Sequence, residues 1–371
     1  MPFCCTPLLK IWEGLPEYRK ARGKRHSLAA MLSLICFGLL CGCRDLAAIA
    51  HWGRVMKPAH LRQLGFTHAL SPCATTLQTL LSSIDPTELE DRFTAWLLTS
   101  LDVTGIAIDG KTLRGSRKQG MATSHVLSAV THGLGCILAQ EAVQDKTNEI
   151  GAMPALLKRL ALEGRIVTVD ALLTQSKLAR QIVSAQGHYV MLAKGNQESL
   201  REEMATALRL EARYGTSLDH IYDCEKSHGR LNERSVSLAM IPPELQDWPG
   251  VQQAFVVTRR SLRDGQQTEE TLYGLTSLPR EQANAATVLG LLRQHWTIEN
   301  RQHWVRDVTY DEDRNQTRKP AVAHAMAWFR SMAISLLRWA GFERIAEAHR
   351  YFQAQPARAL HLLKSVSPTF G

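Results

Sequence analysis

The chain has 371 residues, of which 45% are hydrophobic and 21% charged, and this balance excludes a disordered scaffold. Its formal net charge of +9 suits a polyanionic partner such as DNA, RNA or an anionic membrane surface. The eight cysteines include no Cys-x-x-Cys pair and no spacing typical of a zinc site, so we expect a reducing, cytoplasmic location rather than a disulfide framework.

Residues 1 to about 100 are predicted to form an all-helical domain. The apolar run Leu28 to Cys43 is interpreted as a buried core helix, because its 16 residues fall short of the roughly 20 that cross a membrane. Helical spacing of apolar residues also predicts helices over Asp45 to Trp52, from Ser71 to Asp85, and over Pro86 to Leu101.

A cluster of cations precedes the apolar helix. Its members are Arg19, Lys20, Arg22, Lys24 and Arg25. Clustered cations can neutralise DNA phosphates, so the segment predicts a DNA-binding role for the helical domain. The alternative is a solvated basic face that only aids solubility.

The sequence pattern changes near Val103, where short β-type runs replace helical spacing. The predicted strands cover 104–109, 124–131, 136–143, 165–170 and 188–193, and the predicted helices cover 151–163 and 174–186. The order is three strands, helix, strand, helix, strand. This order predicts an α/β fold with a ribonuclease H-like mixed-sheet core and helices on its faces.

A second β-rich block covers residues 215 to 277, with alternating hydrophobicity and a hairpin signal at Asp264-Gly265. It interrupts the α/β pattern and is interpreted as an insertion. Helices return from Arg280, and the run from Ala321 to Trp339 is strongly helical. The predicted organisation is therefore a helical domain over 1–100 and a catalytic domain over 101–371 that contains the insertion and ends in helices.

Two acids stand at the carboxyl ends of predicted strands, Asp109 and Asp170. Catalytic groups and ligands of α/β sheets gather at such ends. If the two strands are neighbours, a divalent cation such as Mg²⁺ can keep both carboxylates ionised. The alternative is that each aspartate only begins a turn after its strand.

The segment from Gln294 to Asp307 is the most unusual in the chain. A regular helix would place five side chains on one face, namely Trp296, Glu299, Asn300, His303 and Arg306. A carboxylate, an amide, an imidazole and a guanidinium on one face exceed what solubility needs. The alternative is a solvated polar stripe, and these physical arguments alone do not select the third acid.

Several motifs give the chain a resemblance to a known family. They are Ile108-Asp-Gly-Lys-Thr-Leu-Arg-Gly115, Lys146-Thr-Asn-Glu-Ile150, Val167-Thr-Val-Asp-Ala171 with Thr174-Gln175, Lys194-Gly-Asn-Gln197, His228-Gly-Arg230, His295-Trp-Thr-Ile-Glu-Asn300 with His303-Trp-Val305, and Asp307-Val308 with Glu312-Asp313. In this order they resemble the ISAs1 family of bacterial insertion-sequence transposases. This group includes the H-repeat-associated proteins and lies within the IS4-like DDE class. The resemblance covers nearly the whole chain, including the N-terminal helical region.

The resemblance implies a DNA transposase whose catalytic and metal-binding acids are Asp109, Asp170 and Glu299. Such an enzyme cleaves DNA at transposon ends and transfers the strand to target DNA with Mg²⁺ or Mn²⁺ as cofactor. In the expected two-metal arrangement Asp109 bridges both ions, and Asp170 and Glu299 each complete one site. The β-rich block corresponds to the insertion found in IS4-like enzymes.

Further residues near these motifs are candidates for DNA contact. They are Lys111, Arg114, Lys194, Asn196, Gln197, His228, Arg230, His295, Asn300, His303 and Arg306, in addition to the N-terminal cations. The expected partner is double-stranded DNA, both transposon ends and target, with a homodimer when the ends are paired. No membrane partner is expected, and the implied location is the bacterial cytoplasm in association with the nucleoid.

The sequence departs from the IS4-like pattern at several positions. That pattern has Tyr-x-x-Arg-x-x-x-Glu and then Lys seven residues on, whereas this chain has Leu292, His295, Glu299 and Arg306. Leu172-Leu173 stands where a pair closer to Met-Gly is expected. Two other functions stay open: a ribonuclease H-like nuclease without strand transfer, which would use the same three acids, and a catalytically silent DNA-binding relic, because elements of this type decay readily. A small-molecule enzyme is disfavoured because no Gly-x-Gly-x-x-Gly or P-loop motif is present.

Overall fold

The computed structural model describes residues 7–17, 19, 24–99, 101–114, 124–143, 148–193, 197–215, 218–227, 230–241, 247–263, 266–315, 317 and 319–365. The chain divides into two compact units. The first unit comprises Met1–Val103, Gly110–Glu149 and Ile298–Gly371, and the second comprises Thr104–Asp109 and Ile150–Thr297. The predicted linear boundary near residue 100 is close to the end of the first segment, but the C-terminal helices group with the N-terminal ones.

The described α-helices are α1 (Leu28–Leu40), α2 (Leu46–Val55), α3 (Pro58–Gln63), α4 (Ala74–Ser83), α5 (Pro86–Leu98), α6 (Glu149–Lys158), α7 (Ser176–Ser184), α8 (Glu198–Tyr214), α9 (Ala285–His295), α10 (Trp304–Val308), α11 (Pro320–Trp339), α12 (Ile345–Ala354) and α13 (Pro356–Lys364). Short 3₁₀ turns cover Leu8–Trp12, Ala171–Leu173 and Glu312–Arg314, and a π-helical turn covers Glu299–His303.

The described strands are β1 (Gly105–Thr112), β2 (His125–Thr131), β3 (Ile137–Val143), β4 (Ile166–Val169), β5 (His188–Ala193), β6 (Asp219–Ser227), β7 (Arg230–Met240), β8 (Gln253–Arg263) and β9 (Gln266–Thr276). Their order in the sheet is β3-β2-β1-β4-β5-β9-β8-β7-β6. The predicted order of three strands, helix, strand, helix, strand is confirmed, and the sheet is mixed as expected.

The core of the first unit forms around α1. Nearly every residue of this helix is buried, and it packs against α2 and α11. Its first turn is capped by Ser27, whose Oγ accepts a hydrogen bond from the Ala30 N–H at 3.1 Å. Trp12 and Trp328 meet edge to face at 6.4 Å between ring centroids in the same core. The apolar run is therefore a core helix, and the described residues contain no helix long and apolar enough to cross a bilayer.

The hairpin β2–β3 also belongs to the first unit. Its turn contains Gly133 and Gly135 at φ of 71° and 68°, a backbone conformation that residues other than glycine rarely adopt. Helical side chains satisfy donors along β3: Ser335 Oγ accepts from the Ile137 N–H at 2.8 Å, and Glu90 Oε2 accepts from the Gln140 N–H at 3.0 Å. These bonds occupy backbone donors that an uncovered edge strand would leave unpaired.

In the second unit, β1, β4 and β5 run parallel, and β9, β8, β7 and β6 follow as an antiparallel meander. Strand β9 pairs with β5 from Thr276 to Tyr273, so the β-rich block extends the core sheet directly. Helix α8, which was not predicted, packs against β7, β8 and β9. Its apolar positions Leu200, Met204, Ala207 and Leu208 are buried at helical spacing among many charged residues.

A buried ion cluster joins the last elements of the first unit. Glu312 accepts hydrogen bonds from Arg306 Nε at 2.9 Å and Arg330 Nη1 at 3.0 Å, and all three side chains are almost fully buried. Burial alone would raise the pKa of Glu312, but the two guanidiniums outweigh it and hold this pKa below its ordinary value. Arg330 also donates to the Arg44 carbonyl at 2.9 Å.

We expect Glu312→Gln to lower the free energy of unfolding by about 3–5 kcal/mol, because it leaves two buried guanidiniums without a counter-charge. The matched control is Glu269→Gln, which breaks a solvent-exposed pair with Arg260 at 2.9 Å and should change the free energy of unfolding far less, because water screens the pair. Urea unfolding followed by circular dichroism measures both changes. Similar losses in the two variants would contradict a structural role for the buried cluster.

Candidate functional site

Two acids lie on the neighbouring parallel strands β1 and β4: Asp170 directly follows β4, whereas Asp109 lies within β1, which continues to Thr112 instead of ending at the acid as predicted. β1 and β4 pair in register from Gly105↔Ile166 to Ile108↔Val169. Asp109 and Asp170 directly follow the last pair, so they take the next position in the same register and point to the same face of the sheet. Both side chains are partly exposed. The two strands are therefore neighbours, which is the condition for the two carboxylates to share a cation.

The backbone after β4 holds Asp170 in a defined position. Its Oδ1 accepts a hydrogen bond from the Ala171 N–H at 2.7 Å and caps the 3₁₀ turn Ala171–Leu173. In this turn Leu173 is buried and Leu172 is exposed. The Leu172-Leu173 pair therefore anchors the turn through one side chain and leaves the other at the surface.

His295, at the last position of α9, is buried beside β4. Its Nδ1 lies 3.0 Å from Thr168 Oγ1, two residues before Asp170. Burial lowers the pKa of His295 to about 4, although the charge of Asp170 acts in the opposite direction. The imidazole is therefore neutral at neutral pH. The arginine that the IS4-like pattern has at this position would carry a positive charge instead.

A positive charge reaches Asp170 from a different strand. Arg259 on β8 interacts electrostatically with Asp170, and its guanidinium lies 3.9 Å from the ring centroid of Trp296. Glu270 pairs with the same guanidinium at 3.7 Å. Sequence reasoning missed Arg259, because it lies in the β-rich block about 90 residues after Asp170 and within none of the motifs.

Glu299 belongs to the first unit and begins the π-helical turn Glu299–His303, where it is exposed. The prediction of one polar face over residues 296–306 was wrong. Glu299 and Asn300 are exposed, but His303 is buried and Arg306 is fully buried. The wider π turn changes the helical phase, so positions that share a face at 3.6 residues per turn separate.

The π turn is anchored to the β2–β3 hairpin. Gln302 is buried, and its Nε2 donates to the Gly135 carbonyl at 2.7 Å. A side chain at Gly135 would meet Arg301 Cβ at 3.1 Å, so glycine also permits close approach here. Arg338 Nη2 donates to the Arg301 carbonyl at 3.2 Å. These contacts fix the backbone that carries Glu299.

The residue after Asp109 sits in a tight polar cradle of the first unit. A Cβ on Gly110 would collide with His125 Nε2 and with the carboxylate of Glu149, two buried groups that contact each other. His125 Nδ1 lies 3.0 Å from Thr112 Oγ1. Glu149 is the acid of the Lys-Thr-Asn-Glu-Ile motif, so the structure gives this motif a role in holding the end of β1.

Lys111 and Arg114 follow at the end of β1. Lys111 is buried, and its Nζ contacts both carboxylate oxygens of Asp307 at 2.6 Å. Arg114 is exposed and approaches Asp313 only at 3.9 Å. Of the two predicted phosphate contacts, Arg114 alone presents its charge to solvent.

Four predicted DNA contacts need correction. All four side chains are buried, namely Lys111, His295, His303 and Arg306. Lys111 contacts Asp307, His295 contacts Thr168, and Arg306 contacts Glu312. Packing inside the protein is enough to explain these four side chains, and no DNA contact is needed to explain them. The exposed members of the set are Arg114, Arg230 and Asn300.

The remaining predicted contacts divide between described and undescribed parts of the chain. Gln197 is partly buried and donates through Nε2 to the Thr174 carbonyl. In the N-terminal cluster Arg19 pairs with Glu17 at 2.7 Å and donates to the His26 carbonyl, whereas Lys24 and Arg25 are exposed. The other candidates lie outside the described residues, namely Lys20, Arg22, Lys194, Asn196 and His228.

The donor set for a metal consists of carboxylates. Within the described residues there is no group of three or more histidine, cysteine, aspartate and glutamate side chains placed to hold a metal ion. The two neighbouring aspartates nevertheless offer the hard oxygen ligands that Mg²⁺ and Mn²⁺ prefer. A site built on Asp109 and Asp170 fits such an ion when a third carboxylate joins them.

Comparisons with known proteins cover nearly the whole chain. The "H repeat-associated putative transposase YhhI" of Escherichia coli K12 is 30% identical over 333 residues, which are 87% of this chain and 88% of that protein. "Putative protein YbfL" of the same strain is 31% identical with the same two coverages. A piggyBac transposase synaptic complex with hairpin DNA has a TM-score of 0.46 at 10% identity, over 95% of this chain and 80% of that one.

Two family models match successive parts of the sequence. Residues 9–97 match the model described as "DDE_Tnp_1-associated". Residues 101–336 match the model described as "Transposase DDE domain", which covers well over half of the chain and includes all three acids. The mixed sheet, the neighbouring aspartates and these matches agree, and the chain belongs to the DDE transposase family.

Proposed function

We propose that this protein is a DNA transposase that cleaves DNA at transposon ends and joins the freed strand to target DNA by metal-dependent phosphoryl transfer. The observation that carries the proposal is the placement of Asp109 and Asp170 on the same face, directly after the last paired residues of the parallel strands β1 and β4. Two carboxylates so close together repel each other unless a cation neutralises them. The match to the DDE transposase family supports this choice of reaction.

In this proposal Asp109, Asp170 and Glu299 hold divalent metal ions. Members of the DDE transposase family generally use divalent metals, and the ions stabilise negative charge on the attacking and leaving oxygens during displacement at phosphorus. Glu299 is exposed and therefore available as the third carboxylate. Water is the nucleophile in cleavage, and the resulting 3′-hydroxyl is the nucleophile in strand transfer.

Arg259 takes the role of the positive charge next to the acids. His295 occupies the position of the arginine in the IS4-like pattern, but it is buried and its low pKa keeps it neutral. Arg259 interacts with Asp170 from β8 and is held against Trp296. We assign it to orient Asp170 and to contact a DNA phosphate near the reacting bond.

The proposed partner is double-stranded DNA, at the transposon ends and at the target. Arg114, Arg230 and Asn300 present polar or charged side chains to solvent and are the described candidates for contact, together with Lys24 and Arg25. Phosphate contacts of this kind give affinity and position rather than sequence choice. Pairing of two ends requires two active sites, so we propose a homodimer in the reaction.

We expect Asp109→Asn, Asp170→Asn and Glu299→Gln each to slow cleavage by roughly a thousandfold or more, because each removes a charged ligand from a phosphoryl-transfer site. The substrate is duplex DNA taken from the sequence that flanks the gene, chosen for any inverted repeats found there. Asp247→Asn and Glu202→Gln, at exposed positions, are the matched controls and should leave the rate unchanged. Cleavage by any one acid variant at the wild-type rate removes that residue from the site.

A strand-transfer assay on pre-cleaved ends distinguishes the transposase from the two alternatives. A transposase joins such ends to target DNA, a nuclease cuts duplex DNA without joining, and a silent relic binds DNA and does neither. The Asp109→Asn variant serves as the inactive reference for all three assays.

Activity is expected to require Mg²⁺ or Mn²⁺, to stop on addition of a chelator, and to be poorly supported by Ca²⁺. Ca²⁺ has longer bonds and a looser geometry, which suit a phosphoryl-transfer site badly. Binding of Mn²⁺ followed by electron paramagnetic resonance gives a second readout, and it should weaken in Asp170→Asn. Full activity in excess chelator would sink the metal-dependent mechanism.

The exposed cations Lys24 and Arg25 are expected to bind DNA phosphates. Replacing both with Ala should weaken binding to all duplex sequences equally. The salt slope, which is the steepness of the fall of log K with log salt concentration, should decrease by about 0.9 for each phosphate that is no longer neutralised. The control variant Arg180→Ala/Arg209→Ala, at exposed positions of α7 and α8, should change neither the affinity for DNA nor the salt slope. Mobility-shift assays over a salt series measure the slope. An unchanged slope in the Lys24→Ala/Arg25→Ala variant would show that these two cations form a solvated face that does not bind DNA.

A further inference from the structure

A groove of about 580 Å³ lies in the first unit, beside the segment that carries Glu299. Its lining comes from the π-helical turn, α10, the α1–α2 connection and the start of α12. The residues that matter are Arg44, Asn300, Trp304, Val308, Arg344 and Arg350. Asn300 follows Glu299 in the chain, so the groove begins one residue away from the proposed third acid.

The groove contains an unusual apolar surface. Trp304 is 56% exposed and Val308 is 55% exposed, and they lie four residues apart on the same face of α10. Their orientation results from the π turn, because Val305 and Arg306 take the interior positions instead. A large aromatic ring exposed inside a groove offers a flat surface on which a ligand can stack.

The charge of the groove is positive. Four arginines line it, namely Arg44, Arg338, Arg344 and Arg350, against the single carboxylate of Glu343. Arg44 approaches Asp311 at 3.6 Å, and Arg338 donates to backbone carbonyls, whereas Arg344 and Arg350 are exposed. His349 adds no charge at neutral pH, because burial and then Arg44 lower its pKa to about 4. The groove therefore favours an anion that also carries an aromatic group.

We propose that this groove binds a single-stranded segment of DNA, with one base stacked on Trp304 and backbone phosphates held by Arg344 and Arg350. The proposal rests on the proposed function and specifies where that site holds a strand. A base within a duplex is already stacked on both faces, so only an unpaired base can place its face on Trp304. The exposed guanidiniums of Arg344 and Arg350 supply the positive charge that the backbone phosphates of such a strand need.

The test uses a short single-stranded oligodeoxynucleotide with 2-aminopurine at a central position, whose fluorescence falls when the base stacks on an aromatic ring. The full chain should quench it on binding. Trp304→Ala should abolish the quenching and weaken binding by about five- to a hundredfold, and Trp304→Phe should retain most of both. The control Tyr214→Ala removes an exposed aromatic ring outside the groove, one that is 71% exposed, and should have no effect.

The role of the two arginines is tested independently with Arg344→Ala/Arg350→Ala. This variant should reduce the salt slope for the single strand by about 1.4, which is two phosphates at about 0.7 each, whereas Arg180→Ala/Arg209→Ala should not. Both tests use exposed residues, and thermal unfolding of each variant confirms that the fold is intact.

Three outcomes overturn the groove assignment: no binding of the single strand by the wild type, quenching that survives in Trp304→Ala, or a salt slope unchanged in the double arginine variant. Metal-dependent cleavage is measured in parallel on the same preparations. If cleavage depends on Asp109 while the single-strand results fail, only the groove assignment is overturned. If cleavage is absent but single-strand binding depends on Trp304, the proposed reaction is overturned and the binding site stands.

Discussion

The parallel pairing of β1 with β4 is the constraint on which the candidate site depends. It places two acids that are 61 positions apart in sequence side by side on the same face of one sheet. A shift of one residue in this register would turn one carboxylate to the opposite face. The polar cradle around Gly110, built from His125 and Glu149, leaves no room for a side chain after Asp109 and so helps to fix the backbone there.

The π-helical turn sets what the segment after α9 presents to solvent. A continuous α-helix from Ala285 would place Arg306 on the polar face with Glu299, where it could contact DNA. The observed turn instead buries Arg306 against Glu312 and exposes Trp304. Because removing one partner from the buried ion cluster is costly, the cluster holds the phase of α10 and hence the orientation of the exposed tryptophan.

Local sequence patterns predicted most of the elements but not the long-range contacts. Helices α1, α2, α4 and α5, the β2–β3 hairpin and the alternation of β4, α7 and β5 follow from periodicity and turn residues, whereas the short helix α3 was not predicted. Helix α8 was missed because its apolar stripe lies among many charges, although the spacing of Leu200, Met204 and Leu208 was a readable signal. The π turn had no such signal, since it arises from the anchoring of Gln302 on Gly135.

The charge near the acids shows why matching single positions to a family pattern can mislead. An arginine replaced by His295 reads as a missing positive charge, and burial beside Thr168 confirms that this imidazole supplies none at neutral pH. The sheet nevertheless brings Arg259 to Asp170 from a strand that carries no motif. Electrostatic interaction depends on distance and burial rather than on sequence position, so a charge absent at one position can be supplied from another strand. The departure at position 295 is therefore compatible with an active site whose guanidinium comes from the β-rich block.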